Sequence, residues 1–201
     1  IAMLFLQVFQ AMSISLMQKA SAKYGNEAVA AIGIVLKIVT LGSNIVYGFV
    51  KGFQPIAGYN YGAGNYERLH EAIRISVVGS TLFCAVFGLT MAVFSGPVIS
   101  RFTKNDMEMI RIGQKALKAN GLSFLLFGFY TVYSSLFLAL GKAGEGFVLG
   151  ACRQGICFVP IILVFPALWG LNGILYAQPA ADVLTAITAL FMAVHSNRVI
   201  G

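Results

Sequence analysis

Charge is what this sequence has least of. Of its 201 residues, 10% are Asp, Glu, Lys or Arg and 58% are hydrophobic, with a mean hydropathy of +0.82. Soluble domains carry about 25% charged residues, so the shortage excludes an ordinary water-solvated globule and makes lipid the expected solvent. Acidic residues are scarcer still, 7 against 14 Lys+Arg, and Asp182 is the one that falls inside an apolar run. The two histidines, His70 and His195, lie in polar segments. The three cysteines, Cys84, Cys152 and Cys157, are odd in number, without CxxC spacing or a histidine companion, and read as small packing residues. No metal site and no disulfide framework is expected. Basic residues do not form a run interleaved with aromatics, so no nucleic-acid partner is expected either. Gly62-Ala-Gly64 is not a phosphate loop, since no strand precedes it and no lysine follows at the required spacing.

What is present is a series of apolar runs. A spanning helix needs about 20 mostly apolar residues, and six runs qualify: 1–18, 28–53, 75–100, 119–140, 147–168 and 171–194. The expected fold is an all-α membrane protein, a six-transmembrane-helix bundle. Residues 101–118 form the longest polar segment, with Met107, Ile110 and Leu117 at helical spacing, and predict an amphipathic interfacial helix. Most basic residues sit between the runs, where anionic headgroups account for them. Lys51, Arg68, Arg74, Lys142, Arg153 and Arg198 fall on one side. Lys19, Lys23, Arg101, Lys104, Arg111, Lys115 and Lys118 fall on the other, so charge counting does not orient the chain. The sequence opens inside a hydrophobic run without Met, and Ala20-Ser-Ala22 mimics a signal-peptidase site without a basic region before it. We read the start as a cut end and the chain as part of a longer protein.

The stretch Gly52–Ala72 is the most glycine-punctuated. Pro55, Gly58, Gly62 and Gly64 are expected to break any continuous helix, giving a water-side turn that includes Gln54, Pro55, Gly58, Tyr59, Asn60, Gly62 and Gly64. Inside the runs, Asp182 and Lys37 lie near mid-depth on parallel spans, about 3 Å apart in depth at 1.5 Å per residue. The expectation is that they pair, with Gln178 completing the network. The pair is either a coupling-ion site or a fixed structural ion pair. Gln7 and Gln10, with Ser13 beyond them, share a helical face and suit the hydrogen-bonding wall of a cavity or interhelical contacts. Phe127, Tyr130, Ser134 and Phe137 form a stripe, with Phe124 and Tyr133 adjacent, fitted to flat lipophilic cations or to packing. Met3, Met12 and Met17 offer deformable surface or core. The pairs Gly48/Gly52 and Gly146/Gly150 allow close helix approach, and Pro160 and Pro179 are candidate kinks.

Gly52-Phe-Gln-Pro-Ile-Ala-Gly-Tyr-Asn-Tyr-Gly-Ala-Gly-Asn-Tyr-Glu-Arg68 resembles a turn of the MATE family of multidrug and toxin extrusion transporters, in its MepA-like branch. Ala30-Ala-Ile-Gly-Ile-Val-Leu-Lys-Ile38 is similar to the middle of that family's eighth helix. Arg153-Gln154 with Phe158-Val-Pro-Ile-Ile162 and Pro166 is similar to its eleventh, and Gly170-Leu-Asn-Gly173 with Gln178-Pro-Ala-Ala-Asp182 to its twelfth. The resemblance implies the C-terminal lobe, helices seven to twelve of a twelve-helix transporter. The cytoplasmic side would hold the Gly52–Ala72 turn, Gly141–Gly146 and the C-terminus. It implies an antiporter exporting organic cations or amphipathic drugs in exchange for H⁺ or Na⁺, with no other cofactor, by rocking two lobes about a central cavity. Its partners would be the N-terminal lobe, the lipid bilayer and small organic cations, and its place the bacterial inner membrane. In the NorM-like branch an acidic residue sits near the position of Gln7, and this chain departs from that pattern. A lipid-linked oligosaccharide flippase of the same superfamily and a non-transporting scaffold are the alternatives. An intramembrane enzyme would need a cluster of titratable groups that Asp182 and Lys37 alone do not make.

Overall fold

Glycine and asparagine punctuate the helices. The computed structural model describes the backbone of residues 2–103 and 106–200, and the side chains of 5–103 and 106–195. The side chains of Met3, Lys104 and Arg198 therefore lie outside the described residues. Among the described residues, eight α-helices follow in order: α1 Ala2–Ala22, α2 Asn26–Gly62, α3 Tyr66–Val93, α4 Ser95–Ser100, α5 Met107–Ala139, α6 Ala143–Ala151, α7 Phe158–Trp169 and α8 Leu171–Ile200. A π-turn, Cys152–Ile156, joins α6 to α7. Gly25, Gly64, Gly141 and Gly170 sit at the turns with φ of 99°, 70°, 76° and 57°, a region open to glycine and strained for other residues.

Among the described residues, five units are long and apolar enough to cross a membrane: α2, α3, α5, α6 through α7, and α8. The chain is a multi-pass membrane protein. Of the six expected spans, the first is α1. Helix α1 has 21 residues, about 31 Å at 1.5 Å per residue and long enough for a bilayer core of about 30 Å. Its three glutamines and three serines are spread along the helix.

Helix α5 is the axis of the bundle. It packs against α2, α3, α4, α6 and α8, and it starts where Asp106 Oδ1 accepts the Met109 N–H at 2.9 Å, a side-chain N-cap. From Met107 its first turns run without a break into the apolar part of the same helix. Met109, Ile112, Ala116 and Leu117 are buried, whereas Met107 is 78% exposed. The packed face is set by α4, whose Ile99 lies against Gly113. Gly88 on α3 meets Gly121 on α5, where an added β carbon would lie 2.4 Å from the Gly121 carbonyl oxygen. A β carbon on Gly128 would lie 2.7 Å from the Ser80 backbone. These contacts join α3 to α5. Of the expected GxxxG pairs, Gly146 and Gly150 pack against Leu138 and Leu6, while Gly48 and Gly52 face open space.

The expected turn at Gly52–Ala72 is the largest departure. Gln54, Pro55, Gly58, Tyr59, Asn60 and Gly62 are all helical, the last 9 residues of α2, and the chain turns at 63–65, with Gly64 alone of that set outside the helix. Pro55 removes one donor, to the Lys51 carbonyl, on an exposed face where that loss is tolerated. Asn60 Nδ2 donates to the Ile56 carbonyl at 2.8 Å and supports the last turns. A helix of 37 residues is about 55 Å long, far more than a bilayer core, so its polar end projects beyond the hydrocarbon.

Candidate functional site

The site begins with the π-turn. Cys157 N–H donates to the Cys152 carbonyl at 3.0 Å, one residue further back than α-helical pairing. Pro160, just beyond, lacks the N–H that would engage the Ile156 carbonyl. Such insertions collect at functional sites, and here helix α1 braces it. Ser13 Oγ donates to the Gln154 carbonyl, and the ring of Phe9 lies against Gly155. The extra residue turns Arg153 inward, where it is 7% exposed.

Arg153 meets Asp182, and the two form the side-chain ion pair found among the described residues. Arg153 Nε donates to Asp182 Oδ1 at 3.0 Å. The same oxygen accepts from Tyr130 Oη at 3.0 Å and from Gln178 Nε2 at 3.3 Å, and Oδ2 accepts from Ser123 Oγ at 3.1 Å. The guanidinium lies over the Phe127 ring, 4.4 Å from its centroid, and donates through Nη1 to Tyr47 Oη at 3.3 Å. Asp182 is 2% exposed. A buried charge needs both a counter-charge and filled hydrogen-bonding capacity, and residues of α2, α5 and α8 converge on the π-turn to supply them.

The expected partner of Asp182 is therefore corrected. Lys37 is exposed, and Arg153 takes its place. On α2, Val35 and Val39 point inward, and at 3.6 residues per turn Lys37 lies on the opposite face. Equal depth did not imply facing. Arg153 stands nearer the end of its span than Asp182, and the long arginine side chain closes the difference. Gln178 joins the network, in the part expected of it.

Beside the pair opens a cavity of about 400 Å³, within the range of about 300–1,000 Å³ usual for small-molecule sites. Gln7, Gln10, Tyr130 and Ser134 line it, as do Tyr47, Asn44, Lys51, Gln54, Gln154 and Arg153. Gln54 Nε2 donates to Ser135 Oγ at 2.6 Å, which fixes one wall. Phe127, Tyr133 and Phe137 do not line it. All three are buried: Tyr133 and Phe137 are turned about a quarter to a third of a turn from the cavity face of α5, and Phe127 lies beneath the Arg153 guanidinium, stacked on Phe124 at 4.9 Å. A smaller cavity of about 60 Å³ shares Gln10, Asn44, Tyr47, Arg153 and Gln154 with the first. Sequence reasoning missed Tyr47, Lys51 and Gln54 as cavity residues and counted Arg153 among the water-side charges. A lone arginine within an apolar run and followed by a proline was the available signal.

A family model described as MatE matches residues 1–164. The chain belongs to the MatE family. It is 29% identical over 177 residues to the multidrug export protein MepA of Staphylococcus haemolyticus (strain JCSC1435), covering 88% of this chain and 38% of that protein. Against MepA of Staphylococcus aureus (strain MSSA476) the identity is 27% over 171 residues, covering 85% and 37%. The fold is that of the MATE transporter VcmN of Vibrio cholerae in its bent form, at a TM-score of 0.86 and 20% identity, covering 98% of this chain and 44% of that one. The chain thus spans less than half the length of these relatives, and the family is one of transporters, not enzymes. The expected fold class, one lobe of a MATE-type transporter, stands.

Proposed function

We propose that this chain is the C-terminal lobe of a cation-coupled antiporter that exports organic cations or other amphipathic drugs across a bacterial cell membrane. The observation that carries the reading is the buried Arg153–Asp182 pair at the edge of a polar cavity. A fixed ion pair in a bilayer is costly, and this one borders, through Arg153, two polar spaces that share lining residues. An entering H⁺ or Na⁺ would compete with Arg153 for Asp182, and its departure would restore the pair. Such an exchange of counter-charge gives two states of the lobe that a cation biases. The amides of Gln7, Gln10 and Gln154 would hold polar groups of the cargo, and Tyr47 and Tyr130 its flat apolar parts. The relatives named as multidrug export proteins support the same reading. An N-terminal lobe would complete the cavity, and no cofactor beyond the coupling ion is needed.

The test is ethidium efflux from cells expressing the two-lobe transporter that carries this chain, under an imposed pH gradient and an imposed Na⁺ gradient separately. Efflux should follow one gradient and vanish in Asp182→Asn. Efflux that persists in Asp182→Asn would leave the pair a structural clamp and move coupling to the other lobe. No efflux under either gradient would favour a lipid-linked cargo or a scaffold.

A further inference from the structure

A groove of about 350 Å³ between the end of α1 and the second half of α7 stands apart from the site just described. Its floor is hydrocarbon, from Leu16, Leu163 and Pro166, and its polar rim is Lys19, Lys23 and Tyr24. Lys19, in the last turn of α1, and Lys23, in the turn just after it, both border this groove. Both are exposed, and among the described residues neither has a carboxylate within ion-pair distance. Among the described residues, no acidic side chain lines the groove. The Tyr24 hydroxyl leans over the α7–α8 turn, 3.6 Å from where a β carbon on Gly170 would stand. Beside it, Trp169 is 57% exposed at the end of α7. Tyrosine and tryptophan collect at headgroup depth, so the two lysines stand at the level of lipid phosphates and the floor below them at the level of acyl chains.

We propose that this groove binds one acidic phospholipid. Its phosphate lies between the Lys19 and Lys23 ammonium groups with the Tyr24 hydroxyl donating to it, and an acyl chain runs down the floor. Two cations on one groove rim repel each other, and an anion between them relieves that repulsion while its tail covers apolar surface. Basic recesses between membrane helices select acidic headgroups for this reason. A neutral zwitterionic lipid offers the same tail but brings a cation of its own to the lysines.

The chain carries one tryptophan, and Trp169 therefore reports on the groove without labelling. The full chain is reconstituted in phosphatidylcholine vesicles containing equal small fractions of brominated phosphatidylglycerol or brominated phosphatidylcholine, and the quenching of Trp169 is compared. Brominated phosphatidylglycerol should quench more strongly, with an apparent preference on the order of tenfold for two lysines at the surface. Unlabelled phosphatidylglycerol should relieve the excess, and unlabelled phosphatidylcholine should not. Lys19→Gln with Lys23→Gln should abolish the excess, whereas Lys115→Gln with Lys118→Gln should leave it. Equal quenching by the two brominated lipids in the unmodified chain would overturn the proposal, and that comparison needs no variant to fold. So would an excess that survives the Lys19/Lys23 substitutions, or one that inorganic phosphate removes as well as the lipid does, which would make this a simple anion site.

Discussion

Arg153 and Asp182 are each other's condition for being buried. Removing one partner leaves an uncompensated charge, at a cost of about 3–5 kcal/mol, while replacing both with apolar groups is often neutral. Asp182→Leu should therefore lower thermal stability in detergent sharply, and Asp182→Leu combined with Arg153→Met should regain most of the loss. Lys37→Leu should move stability by less than about 0.5 kcal/mol, because Lys37 is exposed. If Lys37→Leu proved as damaging as Asp182→Leu, the pairing in the structure would be wrong. Asp182 was legible in the sequence because a carboxylate in an apolar run has no bland explanation. Its partner was not. Depth along a span can be counted from the sequence, but helix α2 is apolar nearly all round, so nothing in its pattern told which face Lys37 occupies.

The helices themselves were largely legible, and their interruptions were not. Length and hydropathy placed the spans, while Pro55 and Gly58 looked like breaks and proved to be helical. One lost hydrogen bond on an exposed face does not end a helix held by packing along its length. Conversely, the π-turn at Cys152–Ile156 has no sequence signature beyond Pro160, since it depends on Ser13 and Phe9 arriving from α1. Glycine pairs show the same limit. Gly48 and Gly52 fit the motif for close approach but meet nothing, whereas Gly88 of α3 with Gly121 and Gly128 of α5, which form no GxxxG pair, make the α3–α5 contact. Gly128→Ala should destabilise by about 1–3 kcal/mol, since its β carbon meets backbone that has little room to move. Gly48→Ala should be neutral or stabilise by up to about 1 kcal/mol through helix propensity. Unfolding midpoints of the two variants in the same detergent check both expectations.

Across the whole molecule, the outward surface is hydrocarbon. Leu82, Val86 and Leu89 of α3 and Ile187, Leu190 and Phe191 of α8 are all exposed. The most apolar stretch of α5 is 61% buried, against 28% in α3. A photoreactive lipid probe in bilayers should thus label peptides from α3 and α8 strongly and the 119–139 part of α5 least. Strong labelling of α5 would mean that the bundle does not close around it in lipid. This ordering could not be read from the chain, because α3 and α5 have similar hydropathies of 1.9 and 1.7. In water, an apolar face announces the core. In lipid, both the core and the surface are apolar, and periodicity loses its meaning.

By itself, the sequence determined that the chain lives in a bilayer, where its helices run and which carboxylate is out of place. Those follow from composition and length, which act locally. The structure alone decided which helix is central, which residue neutralises Asp182 and which side chains border the cavity. Those depend on the rotation of each helix about its own axis. That rotation is set by glycine contacts and side-chain hydrogen bonds between segments far apart in the chain, and hydropathy is the same for every angle.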